Sequence, residues 1–157
     1  MLATGGIKTY GVLVLICCAS VCGFCSQARK DLGRVCTEAE QKEAIDADSR
    51  DWKALYGLYK HLAHCDDGAG AENFSDIVVR FLARDWKHFR DLETLVASDR
   101  NFRRFVLNHI DATTDPDDLR AIVSNAHRRC PSTAKRLCGI VKSSAESALR
   151  DQASVPN

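Results

Sequence analysis

Residues 115–131 read DPDDLRAIVSNAHRRCP, and this stretch settles the fold class. Asp115 is a capping carboxylate, Pro116 falls at a first helical position, and Asp117 and Asp118 sit where a helix dipole is positive. Leu119, Ile122, Val123 and Ala126 then line one face at helical spacing, Arg128 and Arg129 meet the negative end, and Pro131 stops the run. The stretch therefore predicts an amphipathic helix with both ends specified.

The same period continues in both directions. Toward the C-terminus, Ser132 opens a last helix through Leu137, Val141, Ala145 and Leu149, with a disordered tail expected over 152–157. Toward the N-terminus, Ser98-Asp99 caps a helix whose face is Phe102, Phe105, Val106, His109 and Ile110. Phe74, Ile77, Val78, Phe81 and Leu82 form another face, which Trp86, Phe89, Leu92 and Val96 continue. An unbroken helix of that length would be long for a small domain, so an interruption is expected between Asp85 and Asp91. Asp48 or Ser49 is the expected cap of a helix carrying Trp52, Leu55, Tyr56, Tyr59, Leu62 and Ala63, which stops at Cys65-Asp66-Asp67-Gly68. Residues Asp66 to Ala71 read as a loop. Thr37 and Glu40 have the spacing of a capping box for a first helix ending near Ala47. No stretch alternates with the period of a strand. The chain is read as all-α, a compact bundle of about six to seven short helices.

Composition sets the outer limits. The chain has 157 residues, 27% charged and 45% hydrophobic, with 9 Gly and 3 Pro, which is the profile of one globular domain. Its formal net charge of +1 argues against a nucleic-acid partner, because phosphate neutralisation supplies most of such affinity. Residues Gly11 to Cys25 are uncharged and apolar, too short for a membrane-spanning helix of about 20 residues. With Lys8 before them and Ser26-Gln27-Ala28 after, residues 1–28 read as a secretory signal peptide, an uncleaved anchor being the alternative. Residues 29–151 are then a single helical domain of balanced charge, without a membrane span, in a periplasmic or secreted setting.

Eight cysteines are present, of which Cys36, Cys65, Cys130 and Cys138 follow residue 28. An even number in an exported domain reads as two disulfides. Short loops make consecutive helices antiparallel, which brings Cys36, before the first helix, beside Cys65, after the second. Cys130 and Cys138 face each other across the turn at Pro131. The expected pairs are Cys36–Cys65 and Cys130–Cys138.

Three segments, HCDDGAGAE at 64–72, FRRFVLNHIDAT at 102–113 and RRCP at 128–131, together resemble a family of small exported bacterial proteins. The resemblance covers about residues 36 to 140. It implies a shared helical fold and an exported habitat. The family has no agreed activity, so no site residue is carried over.

Candidate chemistry concentrates at His61-x-x-His64-Cys65-Asp66-Asp67. Two histidines three apart share a helix face, and with Asp67 or Cys65 they could ligate zinc; the competing reading is an exposed helix end with Cys65 in a disulfide. The acids and glycine of 66–72 lack the alternating spacing of a calcium loop. His109 lies on an apolar face, where a histidine is more often a satisfied core residue than a catalytic base. Arg100, Arg103 and Arg104 form one basic cluster, and Arg128, Arg129, Lys135 and Arg136 another, each readable as a solvated helix face. Neither a nucleophile elbow nor a phosphate-cradling glycine loop is present, and no cofactor is implied. The leading expectation is a non-enzymatic exported domain that binds a protein partner or serves an envelope role, with His64, Asp66 and Asp67 on its binding loop. A metal-dependent protein or hydrolase using His61, His64 and Asp67 is the alternative, and a carrier of a small apolar ligand the third.

Overall fold

The computed structural model describes residues 34–154, and the expected signal peptide lies outside them. Among the described residues there are seven α-helices: α1 (Glu38–Asp46), α2 (Trp52–Leu62), α3 (Gly68–Ala83), α4 (Phe89–Ser98), α5 (Arg100–Asn108), α6 (Pro116–Arg128) and α7 (Lys135–Ser154). Short 3₁₀ turns at Ala63–Cys65, Trp86–His88 and Ser132–Ala134 lead out of α2 and into α4 and α7. No described residue is in a strand, so the all-α bundle holds.

Five of the seven helices start on a side-chain cap. Thr37 accepts from the Glu40 amide while Glu40 accepts from the Thr37 amide, the reciprocal capping box. Asp115 accepts from the amides of Asp117 and Asp118, with Pro116 at the first helical position as expected. Asp99 accepts from Asn101 and Phe102. The cap of α2 is Asp51, which accepts from Ala54 at 2.8 Å, and not Asp48 or Ser49. Asp48 is occupied elsewhere, holding Arg80 at 2.8 Å, and the Ser49 side chain is turned inward and buried.

Two further boundaries differ from the sequence expectation. The segment 66–71 is not a loop, because α3 starts at Gly68 with Asp67 as its cap. The Gly70 and Ala71 amides already donate to the Asp67 carbonyl, so glycine and alanine build the first turn rather than a connector. At the other end, α7 continues through Ser154, three residues past the expected limit of the ordered domain. Gln152 holds it there, its side-chain amide donating to the carbonyls of Ala112 and Thr114. The expected interruption after α3 falls at Arg84–His88, where Trp86 stacks on Phe89 with centroids 4.1 Å apart.

The core runs through every helix. Trp52, Leu55 and Leu62 of α2, Phe74, Val78 and Leu82 of α3, Phe89 and Leu92 of α4, Phe102 and Val106 of α5, and Leu119 and Ile122 of α6 are all fully buried. Burying a side chain of this size contributes roughly 1.5–3 kcal/mol. The most extensive helix pairing is α6 on α7, followed by α3 on α6 and α1 on α3, so α6 lies between α3 and α7.

Both disulfides join the expected partners, Cys36 to Cys65 and Cys130 to Cys138. Their sequence separations are 29 and 8 residues. On the chain-entropy model these contribute about 3.6 and about 2.5 kcal/mol. Among the described residues, no helix is long and apolar enough to cross a membrane.

Candidate functional site

The group His61, His64 and Asp67 does not assemble. His61 leaves α2 toward α1, its Nε2 3.5 Å from Glu43, and both side chains are half exposed. His64, one 3₁₀ turn later, points at Glu40 of α1 at 3.3 Å, with side chains only 9% and 14% exposed. Asp67 accepts from the Gly68 amide at 2.8 Å and caps α3. The side chains of the expected binding loop are thus drawn in different directions, and Asp66 faces His109.

His64 instead joins a group that linear reading overlooked. Cys36, Glu40, His64 and Cys65 place one donor atom each within 4.8 Å of one another. The signal was available once the disulfide was paired. Glu40 lies four residues after Cys36, one turn along α1, and His64 immediately precedes Cys65, so closing Cys36–Cys65 brings both side chains to the same end of the α1–α2 hairpin.

His109 is a core residue, as its apolar neighbours suggest. It is 5% exposed and meets Phe105 edge-on at 4.4 Å. Its Nδ1 lies 2.9 Å from Ser75 Oγ of α3, and its Nε2 lies 3.3 Å from Asp66 Oδ1. A serine, a histidine and an aspartate in series resemble a proton relay. Acyl transfer also needs amide donors aimed at the developing oxyanion. Ser75 lies in the interior of α3, where backbone amides are spent on the helix itself. The arrangement joins α3, α5 and the Asp66 turn, and that linkage is what its geometry supports.

Two surface clefts stand out among the described residues, one between α6 and α7 and one over α1 and α3 with Asp118 of α6 at its edge. Arg120, Val123, Ser124, His127 and Arg128 of α6 and Lys142 of α7 line the first, of about 340 Å³. Arg120 reaches Asp117 at 2.5 Å and Lys142 reaches Glu146 at 3.1 Å. Neither the His127 nor the Arg128 side chain makes a hydrogen bond or ion pair among the described residues. The second cleft, of about 590 Å³, has Asp46, Asp48, Asp76 and Asp118 together with Arg80 and Arg84 on its wall. Both of its arginines are paired with acids of the same wall. Arg84 donates to both Asp118 oxygens, a contact that raises the guanidinium pKa further, and the hydrogen bond from Arg80 holds the Asp48 carboxyl below the usual range.

The expected cluster of Arg128, Arg129, Lys135 and Arg136 is divided in the structure. Arg128 lines the first cleft with Arg120, whereas Arg129 turns back, donating to Asn125 at 3.3 Å. Comparison of the chain with known protein families, with curated proteins and with solved structures gives no match in any of the three. The three family-like segments therefore carry no assignment.

Proposed function

We propose that residues 34–154 form an exported binding domain that takes an acidic segment of a protein partner in the cleft between α6 and α7. The observation that carries this reading is the gathering of Arg120, His127, Arg128 and Lys142 around the side chain of Val123. Positions 120, 123, 124, 127 and 128 fall on one face of α6, so a single helix face presents cations around an apolar floor. Dipole complementation accounts for His127 and Arg128 in the last turn, but not for Arg120 in the middle or Lys142 on the neighbouring helix.

The existing pairs are weak competitors. Arg120–Asp117 and Lys142–Glu146 are solvent-accessible ion pairs within a single helix, a class that contributes about 0.3–0.5 kcal/mol. An acidic partner carrying an apolar residue for Val123 exchanges them at little cost. Two disulfides in one small domain favour an oxidising compartment, which supports the exported setting together with the apolar segment at 11–25.

The test is titration of the protein with a fluorescent peptide of alternating Glu and Leu, at two salt concentrations. Binding that weakens with salt and falls at least tenfold in Arg120→Glu/Arg128→Glu supports the reading. Equal binding by the charge-reversed variant rejects it. Displacement of the peptide by inorganic phosphate at matched ionic strength would reassign the cleft to a phosphate ligand.

A further inference from the structure

The Cys36–Cys65 bridge is surrounded by metal-ligand chemistry. Its two sulfurs, the Glu40 carboxylate and the His64 imidazole are the donor types of a tetrahedral zinc centre, and one atom of each lies within 4.8 Å of the others. His64 Nε2 is buried and makes no hydrogen bond. Leaving such an atom unsatisfied costs about 1–3 kcal/mol, so its aim is informative. It points at Glu40 Oε2 at 3.3 Å. Two donors each about 2.0–2.1 Å from one tetrahedral zinc lie roughly 3.3–3.4 Å apart, so the observed spacing accommodates two ligands sharing an ion.

The carboxylate is also held in place. Glu40 Oε2 accepts from the Thr37 amide at 3.0 Å and from the Thr37 hydroxyl at 2.8 Å. Outer-shell hydrogen bonds of this kind orient carboxylate ligands in metal sites. Cys65 is buried at the end of the 3₁₀ turn after α2, whereas Cys36 lies outside α1, beside the exposed Val35. The two sulfurs can therefore part without unwinding a helix.

We propose that reduction of Cys36–Cys65 converts this end of the domain into a zinc site whose ligands are Cys36, Cys65, His64 and Glu40. A dithiol reductant transfers two electrons to the disulfide and becomes a disulfide itself, and the protein gains two thiols. Zinc then displaces one proton from each thiol as two Zn–S bonds form, and His64 Nε2 and a Glu40 oxygen complete the tetrahedron. The disulfide and the metal compete for the same two sulfurs, so redox state gates metal capture. The site is built from the α1–α2 hairpin and owes nothing to the α6–α7 cleft.

The experiment uses the full chain with Cys17, Cys18, Cys22 and Cys25 replaced by Ser. The protein is reduced with a dithiol, freed of it under argon, and titrated with Zn²⁺ against a chromophoric chelator and with Co²⁺ as a spectroscopic reporter. The reduced chain is expected to take one zinc and to show tetrahedral cobalt bands with thiolate charge transfer. The oxidised chain takes none. Cys36→Ser abolishes the signal, and His64→Gln weakens zinc binding at least tenfold in a chain that, oxidised, still unfolds cooperatively. Equal affinity in the oxidised chain, full retention in Cys36→Ser, or indifference to His64→Gln would overturn the proposal. So would a reduced chain that takes up no zinc, whether it stays helical or unfolds.

Discussion

The side-chain amide of Asn125 on α6 donates to the main-chain carbonyl of Ala83 at 2.9 Å, closing the C-terminal end of α3 from a neighbouring helix. Its second hydrogen serves Leu82 at 3.0 Å. A helix leaves its last carbonyls without internal partners, and these two are satisfied across 42 and 43 residues of chain. Asn73 does the same for Ala44 and Ala47 at the end of α1, and Gln152 serves the carbonyls of Ala112 and Thr114 in the turn between α5 and α6.

Asn125→Ala is therefore expected to destabilise the domain by about 2–4 kcal/mol, since each orphaned carbonyl costs roughly 1–3 kcal/mol and water reaches the site poorly. Asn125→Asp is expected to be worse at pH 7, because a carboxylate would face two carbonyl oxygens, and to recover part of the loss when protonated. Urea unfolding at pH 7 and pH 3 checks both. Equal stability of the Asp and Ala variants at neutral pH would contradict the fork.

Asp99 links acid stability to the start of α5. Burial alone would push its carboxyl pKa up, but hydrogen bonds from the Phe102 amide, the Tyr56 hydroxyl and the Asn101 amide, together with the Lys60 charge, outweigh burial and hold it below 3.8. A carboxylate with a lowered folded pKa stabilises above its unfolded pKa, and that contribution disappears as pH falls through the folded value. Asp99→Asn still caps, so the gap between wild type and variant should be open at pH 7 and should close below pH 3.8. Thermal melts across pH 2–7 measure it. The Tyr56 phenol is raised above 10.0, by burial first and by Asp99 second, so its contribution is complete below pH 10.0 and fades as pH climbs through the folded value. Tyr56→Phe removes that alkaline dependence.

The helical glycines should respond with opposite signs. At Gly57 and Gly139 an added methyl meets nothing within 4 Å, so Gly57→Ala or Gly139→Ala is expected to stabilise by about 0.5–1 kcal/mol through helix propensity. A methyl at Gly70 would lie 2.7 Å from the Cys65 carbonyl oxygen, which is backbone and anchored by the disulfide. Gly70→Ala should destabilise by 1–3 kcal/mol as an overpacked site. Gly68→Ala should cost about 1 kcal/mol, because the residue holds φ at +51°. Denaturant midpoints of the single variants decide the order.

The contrast between Gly70 and Gly57 also marks where sequence reading stops. Helix faces, the caps at Thr37, Asp99 and Asp115, and both disulfides follow from spacing and local chemistry, so they were legible. Gly68-Ala69-Gly70-Ala71 carries a loop composition, yet it forms the first turn of α3 because close approach to Cys65 admits no side chain at residue 70. Asp48 has the right position for a cap, but Arg80, 32 residues away in sequence, claims its carboxylate. The expected ligand set His61, His64 and Asp67 is divided for the same kind of reason. His61 and His64 share a helix face, but their acidic partners are two different residues of α1, and only the pairing of Cys36 with Cys65 reveals which of them sits beside sulfur.

The series Ser75, His109 and Asp66 supplies the last prediction, because it resembles catalysis while its surroundings resemble a core. A fluorophosphonate probe phosphonylating a serine nucleophile, with fluoride leaving, would need His109 to accept the Ser75 proton and amide donors to hold the developing oxyanion, and the interior of α3 offers no such donors at Ser75. Labelling of Ser75 is therefore not expected. Stability should respond instead. His109→Ala removes a buried ring packed between Phe105 and Phe74 and leaves Ser75 Oγ without its 2.9 Å partner, a combined loss of about 3 kcal/mol. Ser75→Ala takes away only the hydroxyl and should cost about 1 kcal/mol. Asp66→Asn keeps an oxygen near His109 Nε2 and, placed 3.3 Å away without an aligned hydrogen bond, should change stability by less than 1 kcal/mol. A linkage predicts this graded series in urea unfolding with no covalent adduct in any variant. A relay predicts an adduct on wild type that Ser75→Ala and His109→Ala both abolish, and mass spectrometry of the probe-treated protein separates the two outcomes.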